Sequence, residues 1–157
     1  MNILKLFKPI STFVFDVDGV LTDGSLLVMP DGFLVRRMNI KDGYALQLAI
    51  KKGYRVVIIS GGNSPEVADR LQKLGVKSIF MQTQDKAAVL QSYIKENKLK
   101  QEEVLFMGDD IPDLLVMQIA GLACCPADAS FEVRSISHYI SPINGGQGCA
   151  RDVLRKL

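Results

Sequence analysis

Short apolar runs recur at Thr12 to Phe15, Arg55 to Ile59, Ser78 to Met81, Val104 to Met107 and Leu122 to Cys124, separated by longer stretches of helical periodicity. This alternation predicts a parallel sheet whose crossovers are helices. Val56, Val57, Ile58 and Ile59 are consecutive and β-branched, the pattern of a central strand covered on both faces. Helices must then supply both covers. Tyr44 to Lys52 reads as one helix; Ser64 reads as an N-cap, with Pro65 in the first turn and Gly75 past the last, bracketing a second. Asp85 or Lys86 to Asn97 gives a third, Pro112 opens a fourth that stops near Gly121, and Gly148 to Leu157 forms a fifth with Val153, Leu154 and Leu157 on one side. Between the first strand and the first helix, Leu26 to Met29 and Phe33 to Arg37 flank the turn Pro30-Asp31-Gly32, which predicts a β-hairpin over about 24–38. The expected fold is therefore α/β: a Rossmann-like parallel sheet with helices on both faces, a hairpin insertion after the first strand, and a tail over about 141–157. No cap domain is expected, because the hairpin is too short for one and a helix and strand already fill the interval from Ser60 to Lys86.

Length and charge narrow this picture. At 157 residues and 48% hydrophobic, residues 1–157 suit one domain with a sizeable core. Nineteen basic against 17 acidic residues leave a net charge of +2, with no sequence-wide argument for nucleic acid as a partner. Cys124, Cys125 and Cys149 have no metal-ligand spacing, and two are adjacent in an apolar run, so core thiols in a reducing, cytoplasmic compartment are expected. Residues 1–10 contain lysines and a proline but no long apolar segment or cleavage site, so neither export nor a membrane partner is expected. His138, the only histidine, reads as a surface residue.

The candidate chemistry sits where apolar strands end. Phe13-Val14-Phe15 runs into Asp16-Val17-Asp18-Gly19, Ser60 follows Ile59, Lys86 opens a helix, and Gly108-Asp109-Asp110-Ile111-Pro112-Asp113 follows Met107. In an open parallel sheet the carboxyl ends of strands share one edge, so residues far apart in sequence meet there. Asp16 and Asp109, with the backbone carbonyl of Asp18, are candidate ligands for Mg²⁺, a hard cation that offsets the charge of a phosphate ester. Asp16 is the candidate nucleophile, giving an aspartyl-phosphate, and Asp18 the acid and then base. Ser60, beside Gly61, and Lys86 would hold phosphoryl oxygens, and Asp110 and Asp113 would orient water, metal or Lys86. Arg36 and Arg37, closing the hairpin, are read evenly as solvated or as reaching an anionic substrate. Each feature alone is ordinary; their joint order points to phosphoryl transfer.

With these residues in place, the chain resembles the haloacid dehalogenase superfamily of phosphohydrolases over nearly its whole length. Asp16-Val17-Asp18-Gly19-Val20 matches its first motif, Ser60 the second, Lys86 the third and Gly108 to Asp113 the fourth. Leu21-Thr22-Asp23-Gly24, Asn39 to Tyr44, Pro126-Ala127-Asp128-Ala129, and Gly145-Gly146-Gln147-Gly148 with Arg151 are similar to the small capless branch that contains 3-deoxy-D-manno-octulosonate 8-phosphate phosphatases. That resemblance implies a Mg²⁺-dependent phosphatase acting on an eight-carbon sugar-acid phosphate, and a homotetramer in which hairpins and neighbouring tails close the open sites. Arg36, Arg37, Lys41, Arg70 and Arg151 are the substrate-binding candidates it brings forward. The chain departs from the branch at Gly62, where an arginine, or a glutamate in nonulosonate 9-phosphate phosphatases, is expected, and at Gln147 and Asp152.

Two other classes compete. A phospho-receiver also uses aspartate, Mg²⁺, a hydroxyl and a lysine, but it carries its phosphorylated aspartate after a middle strand, where this chain has Ser60. A non-catalytic regulatory relative is suggested by Gly62. Within the phosphatase reading, a nonulosonate 9-phosphate is the alternative substrate.

Overall fold

The computed structural model describes residues 2–157; Met1, part of the opening stretch read above, lies outside them. Six strands form one parallel sheet: β1 (Thr12–Phe15), β4 (Arg55–Ile59), β5 (Ser78–Phe80), β6 (Val104–Met107), β7 (Leu122–Cys125) and β8 (Tyr139–Ile140), in spatial order β5-β4-β1-β6-β7-β8. β1 is central, and its four side chains are fully buried because strands pair on both edges and helices cover both faces.

Alternation along the strands divides the core in two. Phe13, Phe15, Ile58 and Met107 face α2 (Ile40–Lys51), α3 (Pro65–Lys73) and α7 (Cys149–Leu154) through Leu46, Leu71 and Val153. Val14, Val57, Ile59 and Phe106 face α4 (Lys86–Glu96), α5 (Leu114–Ile119) and α6 (Phe131–Ile136) through Leu90, Met117 and Val133. Each of these large apolar side chains contributes about 1.5–3 kcal/mol by leaving water. A charge at Val14 would face that cost with no polar partner.

The helix starts follow local capping chemistry. The Ser64 hydroxyl accepts from Val67 N–H at 3.3 Å, with Pro65 at the first helical position, and Asp85 accepts from Ala88 N–H at 3.0 Å. α2 begins four residues before the expected Tyr44, because Asn39 caps it by accepting from Lys41 and Asp42 N–H. Pro112 lies in a 3-10 turn (Ile111–Asp113) that leads into α5. Three elements escaped the hydrophobic pattern: α1 (Ile3–Phe7), α6 and β8, each too short to show a period. Phe7 of α1 packs edge-on against Tyr139 of β8, 5.7 Å between ring centres, so the opening and closing segments support each other.

β2 (Leu27–Val28) and β3 (Leu34–Val35) pair antiparallel as the hairpin, whose apolar side chains are exposed. α3 alone spans from β4 to β5, so no cap domain is folded there. Among the described residues, no helix is long and apolar enough to cross a membrane. All three cysteines are buried and unbridged. His138 is exposed, and its Nδ1 accepts from Ala123 N–H at 2.9 Å beside the sheet edge.

Candidate active site

The central strands end in step, with Phe15 in register with both Ile58 and Met107. The next residues continue the ladder, Asp16 N–H donating to Met107 O and Ser60 N–H to Phe80 O. Asp16, Ser60 and Asp109 therefore emerge on one edge of the sheet. A cavity of about 300 Å³ opens there, lined by Asp16, Asp18, Ser60, Lys86, Asp109 and Asp113. Gly61 and Asp110 also border it, as do Gly24, Thr83, Gln84 and Pro112, for which the motifs carried no role. A larger hollow of about 550 Å³ between α2 and α7 has Arg151 and Tyr44 on its walls and no acidic side chain among the described residues that line it. The acidic chemistry belongs to the smaller cavity.

Lys86, the first residue of α4, is buried between two carboxylates, its Nζ 2.7 Å from Asp113 Oδ1 and 3.2 Å from Asp16 Oδ1. Asp16 Oδ1 also accepts from Val17 N–H at 2.8 Å, and Asp113 Oδ2 from Asp109 N–H at 3.0 Å. Ser60 Oγ accepts from Gly62 N–H at 3.2 Å, which leaves its own proton to donate.

Oxygens of Asp16, Asp109 and Asp113 lie within 4.8 Å of one another. One ammonium does not balance three carboxylates in a buried site. Burial first, then Asp113, pushes the Asp16 carboxyl well above the ordinary 3.8 against the pull of Lys86, and the same two causes push Asp109 up to about 7. Burial alone would lower Lys86, but Asp16 and Asp113 outweigh it and hold the ammonium protonated. Excess negative charge on clustered hard oxygen donors fits a divalent cation, so the three residues can hold a metal ion.

The remaining candidates scatter. Arg36 pairs with Asp18, which lines the cavity, and itself lines a separate hollow between the hairpin and α3. Arg70 lines that hollow too, Arg37 and Lys41 are exposed, and Arg151 faces the hollow between α2 and α7. Arg151 N–H donates to the buried Asp42, which ties the tail helix to α2. Sequence reasoning assigned no role to Thr22, whose hydroxyl accepts from Gly19 and Gly24 N–H and holds the loop after Asp18. Nor did it assign one to Asp128, which accepts from Gly145 N–H at 2.9 Å. Thr22 lies three residues after Gly19, a side-chain-to-backbone spacing that is legible in hindsight.

A family model described as haloacid dehalogenase-like hydrolase matches residues 78–152. The 3-deoxy-D-manno-octulosonate 8-phosphate phosphatase of Yersinia pestis is 31% identical over 97% of this chain and 81% of its own length. This chain belongs to the haloacid dehalogenase superfamily. A probable YrbI-family phosphatase from Pseudomonas syringae superposes with a TM-score of 0.95 at 38% identity, covering 98% of this chain and 87% of that one. The octulosonate phosphatase of Moraxella catarrhalis, solved with magnesium, phosphate and the octulosonate, superposes at 0.93 with 31% identity, covering 97% and 87%. The superfamily member described here is a phosphatase of this capless architecture.

Proposed function

We propose that this superfamily member is a Mg²⁺-dependent phosphomonoesterase that converts 3-deoxy-D-manno-octulosonate 8-phosphate to the free sugar acid and phosphate. The observation that carries this reading is the meeting of Asp16 from β1 and Asp109 and Asp113 from the β6 edge around Lys86 in one cavity. The names of its relatives supply the substrate.

Asp16, Asp109 and Asp113 would hold the metal, with the Asp18 backbone carbonyl a further candidate. When bound, Mg²⁺ supplies charge neutralisation at the phosphoryl oxygens. Lys86 fixes Asp16 Oδ1 and adds positive charge, while Ser60 and Gly61 face the same cavity to meet phosphoryl oxygens. In this reading an Asp16 carboxylate oxygen attacks phosphorus, the ester bond breaks, and Asp18 gives its proton to the departing ester oxygen, which leaves as the sugar hydroxyl. Asp18, now a carboxylate, takes a proton from water as that water attacks the aspartyl-phosphate, releasing phosphate and restoring the Asp16 carboxylate and the protonated Asp18.

The hairpin supports an assembled enzyme. Leu27, Val28, Phe33 and Leu34 are 45–70% exposed on adjoining strands, a contiguous apolar surface that a monomer rarely leaves in water. A homotetramer covering these hairpins, in a reducing cytoplasm that keeps the thiols unbridged, belongs to the same reading, as does the treatment of residues 1–157 as one domain.

The test is phosphate release from the octulosonate 8-phosphate and from a nonulosonate 9-phosphate, each with Mg²⁺ and with EDTA. The octulosonate ester should be turned over in Mg²⁺ alone, and Asp16→Asn should lower turnover by at least about 10³-fold with an unchanged fold. Inactivity of the parent protein on both esters removes the substrate assignment; an active Asp16→Asn variant removes the mechanism.

A further inference from the structure

Asp18 is not free in this fold. Arg36, just past β3, folds back so that its Nε donates to Asp18 Oδ1 at 2.7 Å and its Nη2 to Oδ2 at 3.2 Å. The planar fork occupies both oxygens of the carboxyl assigned to proton transfer. While it does so, one acceptor site on each oxygen is taken and the carboxyl is held to the arginine rather than free to turn to a leaving group or a water.

Three features make this clasp conditional. The Arg36 side chain is 5% exposed, yet its Nη1 has no hydrogen-bond partner among the described residues. A buried guanidinium N–H without an acceptor is costly, so a position that supplies one is favoured. The clasp also depends on Gly62: a Cβ there would lie 2.8 Å from Arg36 Nη2 and 3.0 Å from Asp18 Oδ2. Finally, Arg36 borders a second cavity of about 470 Å³ between the hairpin and α3, where Phe33, Val35 and Met38 meet Arg36 and Arg70. Its apolar walls carry two guanidiniums against one carboxylate, Glu66, a net positive lining that suits a carbon skeleton ending in a carboxylate.

We propose that Arg36 is a substrate-operated latch on Asp18. The carboxylate at the non-phosphate end of the substrate draws the guanidinium off Asp18, supplies the acceptors it lacks, and frees Asp18 for proton transfer. Arg36 thereby selects for substrates that carry a second anionic group, and a phosphate ester without one leaves the latch closed. The inference rests on the phosphatase reading for the role of Asp18, but the competition for Arg36 is an equilibrium property that can be measured without turnover.

Titration calorimetry with free 3-deoxy-D-manno-octulosonate, which carries the carboxylate and no phosphate, measures that competition. Removing the internal competitor in Asp18→Ala should tighten binding about tenfold, and Arg36→Ala should weaken it about tenfold or more. Equal binding by all three proteins, or binding by none, overturns the latch. Kinetics supply a readout that a merely structural arginine would not move. Arg36→Ala should lower kcat/KM for the octulosonate 8-phosphate by about tenfold or more while raising it several-fold for ribose 5-phosphate, which has no carboxylate. Equal losses on both esters in Arg36→Ala refute the latch and leave the phosphatase reading standing. An inactive parent protein whose sugar-acid binding still tightens in Asp18→Ala fails the phosphatase reading and supports the latch.

Discussion

Crowding of Asp16, Asp109 and Asp113 makes the stability of the metal-free protein depend on pH in an unusual direction. Most native carboxyls are more acidic than their unfolded counterparts, and folds gain stability as they ionise. Here the Asp109 carboxyl rises from 3.8 to about 7 and Asp16 rises too, burial being the leading cause for both. The folded state therefore binds more protons than the unfolded chain between about pH 4 and 7, and stability falls as pH rises through that window. At about 1.4 kcal/mol per pH unit, the Asp109 rise alone corresponds to about 4 kcal/mol, and solvent screening of this half-buried group reduces it to about 2 kcal/mol. Only about 2 of those pH units lie above pH 5, so about 1.3 kcal/mol of this is lost between pH 5 and pH 8, a Tm drop of about 3–5 °C in EDTA for a domain of this size. Mg²⁺ must displace the shared protons at pH 5 but meets ionised ligands at pH 8, so its stabilisation should be larger at pH 8. At one hundred times its Kd it would restore about 2.7 kcal/mol. Thermal unfolding followed by circular dichroism at both pH values, with EDTA and with Mg²⁺, measures each quantity, and Asp109→Asn should flatten the EDTA profile. A metal-free Tm that holds constant or climbs from pH 5 to 8, or equal stabilisation by Mg²⁺ at both, would refute the charge accounting.

Two further perturbations probe contacts made late in the chain. A Cβ on Gly145 would sit 1.9 Å from Gly19 O, and Gly146 N–H donates to Val20 O at 2.9 Å, so the tail braces the loop that follows Asp18. Gly145→Ala should cost about 1–3 kcal/mol by displacing backbone and should lower kcat with it; unchanged Tm and kcat would show that the brace is dispensable. If the proposed tetramer forms through the hairpins, changing both Leu27 and Phe33 to Asp should convert it to smaller species, because each side chain forfeits about 1.5–3 kcal/mol of burial at that interface. Light scattering coupled to size exclusion reads the mass directly, and an unaltered tetramer would place the interface elsewhere.

The architecture was legible wherever its cause is local. Strands β1, β4 and β6 are buried on both faces, so they appear as unbroken apolar runs ending at Asp16, Ser60 and Gly108. Ser64 and Asp85 announce helices because a cap is a bond to a neighbour three residues on. That the carboxyl ends of parallel strands share an edge is a rule of topology, and it sufficed to gather Asp16, Asp109 and Lys86 in one place. What the pattern missed or left open depends on partners distant in sequence. β8 exists through Cys125 and Ser141 at the sheet edge, and Asp42, in the first turn of α2, is buried through the tail helix, although the early start of α2 itself is a local Asn39 cap that the apolar period passes over. Arg36 reads equally as solvated or as substrate-facing, because nothing within its own segment distinguishes the two. The tertiary structure seats it on Asp18, 18 residues away, in space left by Gly62. Local chemistry thus determines which groups the chain can offer; only packing decides which of them meet, because steric room and charge pairing belong to positions in space.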